Sequence, residues 1–309
     1  MRKTCLESVY KLAKRDKRVI FIGSDLGPGV LKEFKENIPE RFFMEGVSEQ
    51  SIVGIAAGLA IEGYLPYVNT IATFLTRRCF EQLVIDLCLH DLPVKLIGNG
   101  GGLVYAALGP THQAIEDISI LRTLPNMTIL APCDAFEMRN LVPATLKWPH
   151  PIYIRLAKGG DQIITKKNKK FIIGKSVMIK KPGEYLFLTT GITTQIALHA
   201  SRKLESENNI KCGVIHFPTI KPLDAKVLLK WVKKVKNIIT VEENVLAGGF
   251  GSSILEFCNE NLKEHVYKIS RIGLKDEFLD DYGDQNSLLN KYAINQHTLC
   301  KKMLSLIKK

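Results

Sequence analysis

Short apolar runs alternate with amphipathic stretches along the whole chain, and this alternation restricts the fold more than any other feature. The runs Val19–Gly23, Leu65–Asn69, Val94–Gly98, Thr128–Ala131 and Ile152–Arg155 have strand length. Between them, Ser51–Glu62, Phe80–His90 and Ala135–Lys147 carry apolar residues at helical spacing. Strand, helix and strand in repetition imply a mostly parallel sheet covered by helices on both faces. Ligands of such sheets bind at the carboxyl ends of the strands. The rhythm breaks over residues 158–183, KGGDQIITKKNKKFIIGKSVMIKKPG, which is basic and lacks a helical period. It resumes with strands at Tyr185–Thr190, Cys212–His216, Ile238–Glu242 and Val266–Arg271. Helices are predicted at Ile192–Ser206, Ala225–Val235 and Ser252–Asn259. The expectation is two doubly wound α/β domains, residues 1–165 and 185–309, with a linker over 166–184 that holds a short extended piece.

Composition removes several alternatives. The longest charge-free apolar stretch runs from Ser51 to Ile61, about half of what a bilayer span requires. Charges interrupt the first eighteen residues, MRKTCLESVYKLAKRDKR, and leave no apolar signal segment. The net charge is +12, but Lys and Arg are scattered, with mild clusters at residues 166–170 and 230–236. That pattern reads as a solvated lysine-rich surface, not a nucleic-acid site. The seven cysteines form no CxxC and no His/Cys ligand spacing. Reduced thiols, a cytoplasmic location and no metal ligands in this chain are expected.

Four places invite chemistry. Gly98-Asn99-Gly100-Gly101-Gly102 follows a strand, and its N–H groups could cradle an anion or simply make a tight turn. Ala247-Gly248-Gly249-Phe250-Gly251-Ser252 opens a helix after a strand, but it is an incomplete dinucleotide fingerprint with no acidic residue about 20 positions on. His112 sits in a loop, as a proton carrier or a structural hydrogen-bonder. Glu49 starts an apolar helix, where a carboxylate favours the helix dipole or serves as a buried acid.

An ordered set of motifs narrows this. Arg41-Phe42-Phe43-Met44-Glu45-Gly46-Val47-Ser48-Glu49-Gln50 with IVGIAAGLAIEGYLPYV resembles the pyrimidine-binding domain of transketolases and deoxyxylulose-phosphate synthases. Ser24-Asp25-Leu26, Thr73-Phe74-Leu75, Phe80-Glu81-Gln82, Gly109-Pro110-Thr111-His112-Gln113, Leu124-Pro125-Asn126-Met127 and Ala131-Pro132-Cys133-Asp134 resemble further motifs in the same order. Val241-Glu242-Glu243-Asn244, Gly248–Ser252, Arg271-Ile272-Gly273, Phe278 and Tyr282-Gly283 resemble the C-terminal domain of that group.

The resemblance implies thiamine diphosphate as cofactor. Glu49 falls on the glutamate that hydrogen-bonds the aminopyrimidine N1′ and is catalytic. His112 falls on a catalytic histidine that also contacts substrate hydroxyls. Phe74 and Phe80 fall on the aromatic wall around the pyrimidine, and Asp25 on an acid near the cofactor. Arg2 and Arg155 fall on substrate-binding arginines. The diphosphate domain with its GDG…N magnesium motif has no counterpart here, so the resemblance implies a partner subunit that carries Mg2+ and an assembly of two plus two chains. Positions that bind the sugar phosphate in the family fall on Gly29 and Gly100, and one that contacts a hydroxyl falls on Leu108. A wider channel and a modified sugar substrate are therefore expected. Two alternatives stand beside a two-carbon transferase acting on a sugar or 2-keto acid: the β-subunit of a 2-oxoacid dehydrogenase, and a non-catalytic paralogue.

Overall fold

A computed structural model of the chain describes residues 1–24, 28–165, 170–262 and 268–308, with the side chains of Pro28 and Val30 excepted. The first sheet is built from β1 (Val19–Gly23), β2 (Phe42–Met44), β3 (Leu65–Ile71), β4 (Lys95–Asn99), β5 (Thr128–Leu130) and β6 (Ile152–Leu156), all parallel. Their apolar runs suit burial on both faces: every residue of β1, β4 and β6 is buried. The second sheet contains β7 (Val177–Lys180), β8 (Tyr185–Thr189) and β9 (Cys212–His216). A short strand, β10 (Thr219–Lys221), returns to the first sheet, and β11 (Asn237–Val245) and β12, described from Lys268 to Leu274, complete the second. The strand orders are β10-β5-β6-β4-β3-β1-β2 and β12-β11-β8-β9-β7.

The helices are α1 (Arg2–Ala13), α2 (Lys32–Asn37), α3 (Glu49–Ile61), α4 (Phe80–Gln82), α5 (Asp117–Arg122), α6 (Ala135–Thr145), α7 (Thr193–Asn208), α8 (Ala225–Val232), α9 (Phe250–Asn261), α10 (Gln285–Lys291) and α11 (Gln296–Ile307). Local sequence sets where several of them begin. Asp134 caps α6 by accepting the Glu137 N–H, and Asn295 caps α11 by accepting that of Thr298.

Two α/β units with parallel-dominated sheets agree with the expected fold class, and three details differ. The predicted helix over 80–90 is a three-residue α4 set between π-helical stretches, Phe74–Arg78 and Leu83–Leu89. Each π turn admits an extra residue, so Leu75, Leu83 and Leu87 stay buried while Arg77 and Arg78 swing outward. The short extended piece expected in the linker is present as β7, but it pairs antiparallel with β9 as an edge strand of the second sheet; residues 166–169 of the expected linker lie outside the described residues. Finally, β10 pairs antiparallel with β5 and so inserts the second half of the chain into the first sheet.

One core runs through both sheets. Ile20, Val68, Leu96 and Tyr153 belong to the same buried cluster as Leu186, Leu188, Phe217 and Phe250. Among the described residues, no helix is long and apolar enough to cross a membrane.

Candidate active site

The order of strand addition in the first sheet reverses at β1, which has β2 on one side and β3 on the other. A crevice therefore opens between the carboxyl ends of β1 and β3, the usual ligand position in an open α/β sheet. Ser24, one residue beyond β1, places its Oγ 2.6 Å from Thr70 Oγ1 near the end of β3. Glu49, the first residue of α3, lies over this bridge and is only 2% exposed. Thr70 makes a long 3.5 Å contact with Glu49 Oε1, and Arg78 Nη1 donates to Oε2 at 2.6 Å.

The strand ends beside this carboxylate hold unusual polar groups. Asn99 Nδ2 donates to Asn69 Oδ1 at 2.7 Å and to the Thr70 carbonyl at 3.0 Å. Asn69 Nδ2, Asn99 Oδ1 and Thr73 Oγ1 are buried with no hydrogen-bond partner among the described residues. Buried polar groups are normally paired, so this floor has the chemistry of a surface made for a polar ligand.

The outward turn of the π stretch builds the wall. The Arg78 guanidinium stands 4.5 Å from the centre of the Phe74 ring, a cation–π contact. The His112 ring meets Phe74 edge-on, with centroids 5.2 Å apart. Neighbouring Arg77 pairs with Glu116 and donates to the Gln113 carbonyl at 2.8 Å, which ties down the loop carrying His112. His112 Nδ1 is 2.8 Å from Thr111 Oγ1. On the far side, Gln113 Nε2 donates to the Asp281 carbonyl at 3.2 Å. A Cβ at Gly109, where φ is +78°, would lie 2.6 Å from the Tyr282 ring, so the closing segment of the second half packs directly on this loop.

The structure thus brings Glu49, Phe74 and His112 together and adds Arg78, which sequence reasoning missed. The doubled arginine in Thr76-Arg77-Arg78-Cys79, inside an otherwise apolar segment, was the available signal. Phe80 is half-buried and packs against the shared core. Arg2 is half-buried at the start of α1. Asp25 lies outside the described residues.

Arg155 sits in a separate buried cluster between the two halves. Its Nε donates to Asp117 Oδ2 at 2.8 Å, and Nη2 to the carbonyls of Ala114 at 3.1 Å and Glu243 at 2.8 Å. Burial alone would lower the guanidinium, but the Asp117 and Glu243 carboxylates outweigh it and hold Arg155 above its ordinary value. Burial raises Glu243, against the pull of Arg155.

Both glycine loops are satisfied from within the chain. The N–H groups of Gly100 and Gly101 donate to the Leu156 carbonyl, that of Gly102 to Ala114, and that of Leu103 to Glu243 Oε1. The Tyr105 ring fills the space above Gly100, where a Cβ would lie 2.2 Å from it. At the second loop, Glu242 accepts the N–H groups of Phe250 at 2.6 Å and Gly251 at 2.8 Å. The chain's own carboxylate thus takes the anion position at the start of α9, and no phosphate cradle remains there. Burial, which those N–H groups only partly offset, raises Glu242 to about 7.

Comparison with known proteins decides the family. Residues 1–160 match the transketolase pyrimidine-binding domain, and residues 174–299 the transketolase C-terminal domain. The chain belongs to the transketolase family. Members of the transketolase family depend on thiamine diphosphate. A 1-deoxy-D-xylulose-5-phosphate synthase of Syntrophus aciditrophicus is 36% identical over 303 residues; the match covers 97% of this chain but 46% of the synthase. The chain therefore spans about half the length of the synthases it matches. One subunit of an apulose-4-phosphate transketolase of Phocaeicola vulgatus is 32% identical over 310 residues, covering 100% of this chain and 97% of that subunit. Among solved structures, a split-gene transketolase described as an inactive beta4 tetramer superposes with a TM-score of 0.89 at 28% identity, covering 99% of this chain and 97% of that one. A transketolase from Campylobacter jejuni has the same fold, with a TM-score of 0.80 at 20% identity over 98% of this chain and 46% of its own.

Proposed function

We propose that this chain is the pyrimidine-side subunit of a two-component transketolase that moves a two-carbon ketol or acyl unit to an aldehyde acceptor. The buried carboxylate of Glu49 in the switch-point crevice, faced by Phe74 and His112, carries the reading. The unpaired Asn69 Nδ2 and Thr73 Oγ1 near it fit a polar heteroaromatic ligand. When bound, thiamine diphosphate supplies the carbon nucleophile. Glu49 would hold a proton at the pyrimidine nitrogen, a role that requires Arg78 to release its carboxylate. Phe74 gives the ring an apolar wall, and the family resemblance assigns Phe80 and Asp25 to the cofactor as well. His112, set on a tied loop, moves protons at substrate hydroxyls. A partner subunit supplies the Mg2+ and diphosphate ligands, and two copies of each chain form the assembly. The compartment is the cytoplasm.

The substrate is anionic, and its charge lies away from the reacting carbonyl. Gly29 opens onto a groove of about 660 Å³ in which Lys3, Lys11, Lys14 and Lys32 outnumber Glu7 and Glu33. From Lys3 to Lys14 along α1 the groove extends about 16 Å. Arg155 is buried and spends its Nε and Nη2 donors inside the protein, so in this reading it positions the loop of Gly101 and leaves Arg2 as the substrate-binding arginine. The relative named for apulose 4-phosphate supports a sugar phosphate as the substrate class.

The test is reconstitution with a diphosphate-binding partner, thiamine diphosphate and Mg2+, followed by kcat/KM across acceptors. Thiamine-dependent carboligation by the complex, and none by this chain alone, is the expected result. A value of about 10⁴ M⁻¹s⁻¹ or more for xylulose 5-phosphate with ribose 5-phosphate would instead mark a conventional transketolase. Turnover only with a lipoyl acceptor would point to a 2-oxoacid dehydrogenase subunit.

A further inference from the structure

Cys133, Glu137 and His216 lie outside the crevice and come from three elements: the turn after β5, the first turn of α6 and the last residue of β9. Cys133 and Glu137 come from one continuous segment and His216 from another, and the trio spans the boundary between the two sheets. Their sulfur, carboxylate oxygen and imidazole nitrogen lie within 4.8 Å of one another, and all three residues are buried.

The surroundings are organised around these atoms. His216 Nε2 is 2.9 Å from Glu137 Oε2. Its Nδ1 is 2.8 Å from Thr194 Oγ1, and Thr194 is in turn 2.9 Å from Thr189 Oγ1. The imidazole is therefore held from behind by the Thr194 hydroxyl, with Nε2 facing Glu137 and Cys133. The Cys133 N–H donates to the same Glu137 oxygen at 2.8 Å, which fixes the cysteine beside the carboxylate. Glu137 Oε1 is buried without a partner among the described residues, and Glu137 as a whole is only 4% exposed. Glu137 also lines a cavity of about 200 Å³ with Asn140, Ser176 and Pro218, room for several waters.

We infer that Cys133, Glu137 and His216 form a three-ligand site for a divalent transition-metal ion of the zinc class, with a water from the adjoining cavity as fourth ligand. One sulfur, one nitrogen and one oxygen donor suit a borderline-soft ion in a tetrahedral site. The charges close: a thiolate and a carboxylate balance the dication, and the imidazole binds neutral through Nε2, the proton it shares with Glu137 Oε2 moving to Nδ1, which donates it to Thr194. Binding releases the Cys133 thiol proton to solvent and involves no change of oxidation state. The ion gives the unpaired Glu137 oxygen a partner and joins β5 and α6 to β9. The site is independent of the transketolase reading, because none of its residues lies in the Glu49 crevice.

Cobalt is the probe. Chelator-stripped full-length chain is titrated with Co2+ and followed by absorption. Expected are one equivalent bound, tetrahedral d–d bands, a thiolate-to-cobalt charge-transfer band, and displacement of both by Zn2+. Cys133→Ser, nearly isosteric, should lose the charge-transfer band, while His216→Gln, which removes a ligand, should weaken binding by more than the factor of about 10–100 typical of losing a group that only orients a ligand. Zn2+ should raise the Tm of the wild-type chain but not of Cys133→Ser. If His216→Gln fails to fold, Cys133→Ser carries the comparison alone. The inference is overturned if the folded wild type shows no stoichiometric cobalt spectrum, or if the charge-transfer band persists undiminished in Cys133→Ser.

Discussion

Arg78 and Glu49 form an ion pair that crosses from surface to interior: the atoms are 2.6 Å apart, the guanidinium side chain is 42% exposed and the carboxylate 3%. The carboxylate at the floor of the crevice is thus held by a cation that solvent can reach. A ligand that takes over the hydrogen bond of Glu49 has to displace an arginine, not water.

This pair gives the first expectation. Arg78→Ala should lower the stability of the chain by about 1–2 kcal/mol, less than a fully buried pair because the arginine is partly screened. The loss should shrink in a Glu49→Gln background. A double-mutant cycle by urea denaturation measures the coupling, and a coupling of zero would show that the pair contributes nothing.

Glu49→Gln in the reconstituted complex should reduce turnover by at least about a hundredfold while the assembly elutes unchanged. An undiminished rate would remove Glu49 from the chemistry. His112→Ala should slow turnover with cofactor affinity near normal; loss of cofactor binding would make it a cofactor contact instead.

Gly100→Ala should destabilise the chain by about 2 kcal/mol or more, because its φ of +79° disfavours a side chain and the Tyr105 ring stands 2.2 Å from the new Cβ. Tyr105→Ala in the same chain should recover part of the loss. Thermal denaturation of the single and double variants decides it.

Lys95 gives a pH-dependent expectation. It is fully buried, donates to the carbonyls of Pro93 and Trp148, and burial lowers it to about 7. Because the unfolded lysine stays protonated to about pH 10.4, the folded state binds fewer protons above pH 7 and stability rises with pH. Lys95→Met removes this dependence. Its effect relative to wild type should be more favourable at pH 6 than at pH 9 by about 2–3 kcal/mol. Equal shifts at both pH values would contradict the assignment.

Arg155→Met should cost about 3–5 kcal/mol, the scale for leaving Asp117 and Glu243 buried without their cation. A change confined to KM, with Tm unaltered, would instead place Arg155 on the substrate.

The legible parts of the molecule were those whose meaning is local. β1 and β9 could be delimited from their apolar runs alone, and Glu49 and His112 stood out within their motifs. The π stretches were not legible, because Phe80–His90 satisfies a helical period and the added residues show only as a rotation of Arg77 and Arg78. The partner of Arg78 is 29 residues away, beyond any window of periodicity. β7 was legible only as an extended piece and β10 not at all: strands of four and three residues are too short to show alternation and exist because a neighbouring edge offers them hydrogen bonds. The glycine loop at Gly248–Ser252 has the outline of an anion cradle in sequence because no acid follows it at the fingerprint spacing. The acid, Glu242, is eight residues upstream of Phe250. The trio at Cys133 escaped notice for a related reason: ligand-spacing rules register neighbours in sequence, whereas β9 contributes its histidine from the other half.

The three residues of β10 carry a consequence for how such a chain can be divided. They cover the outer edge of β5 with an antiparallel strand that belongs, in sequence, to the second half. A fragment ending before Thr219 would present an uncapped, apolar strand edge to solvent, a surface that recruits other chains. Cutting the protein at its apparent seam should yield an aggregating first half, not an autonomous domain.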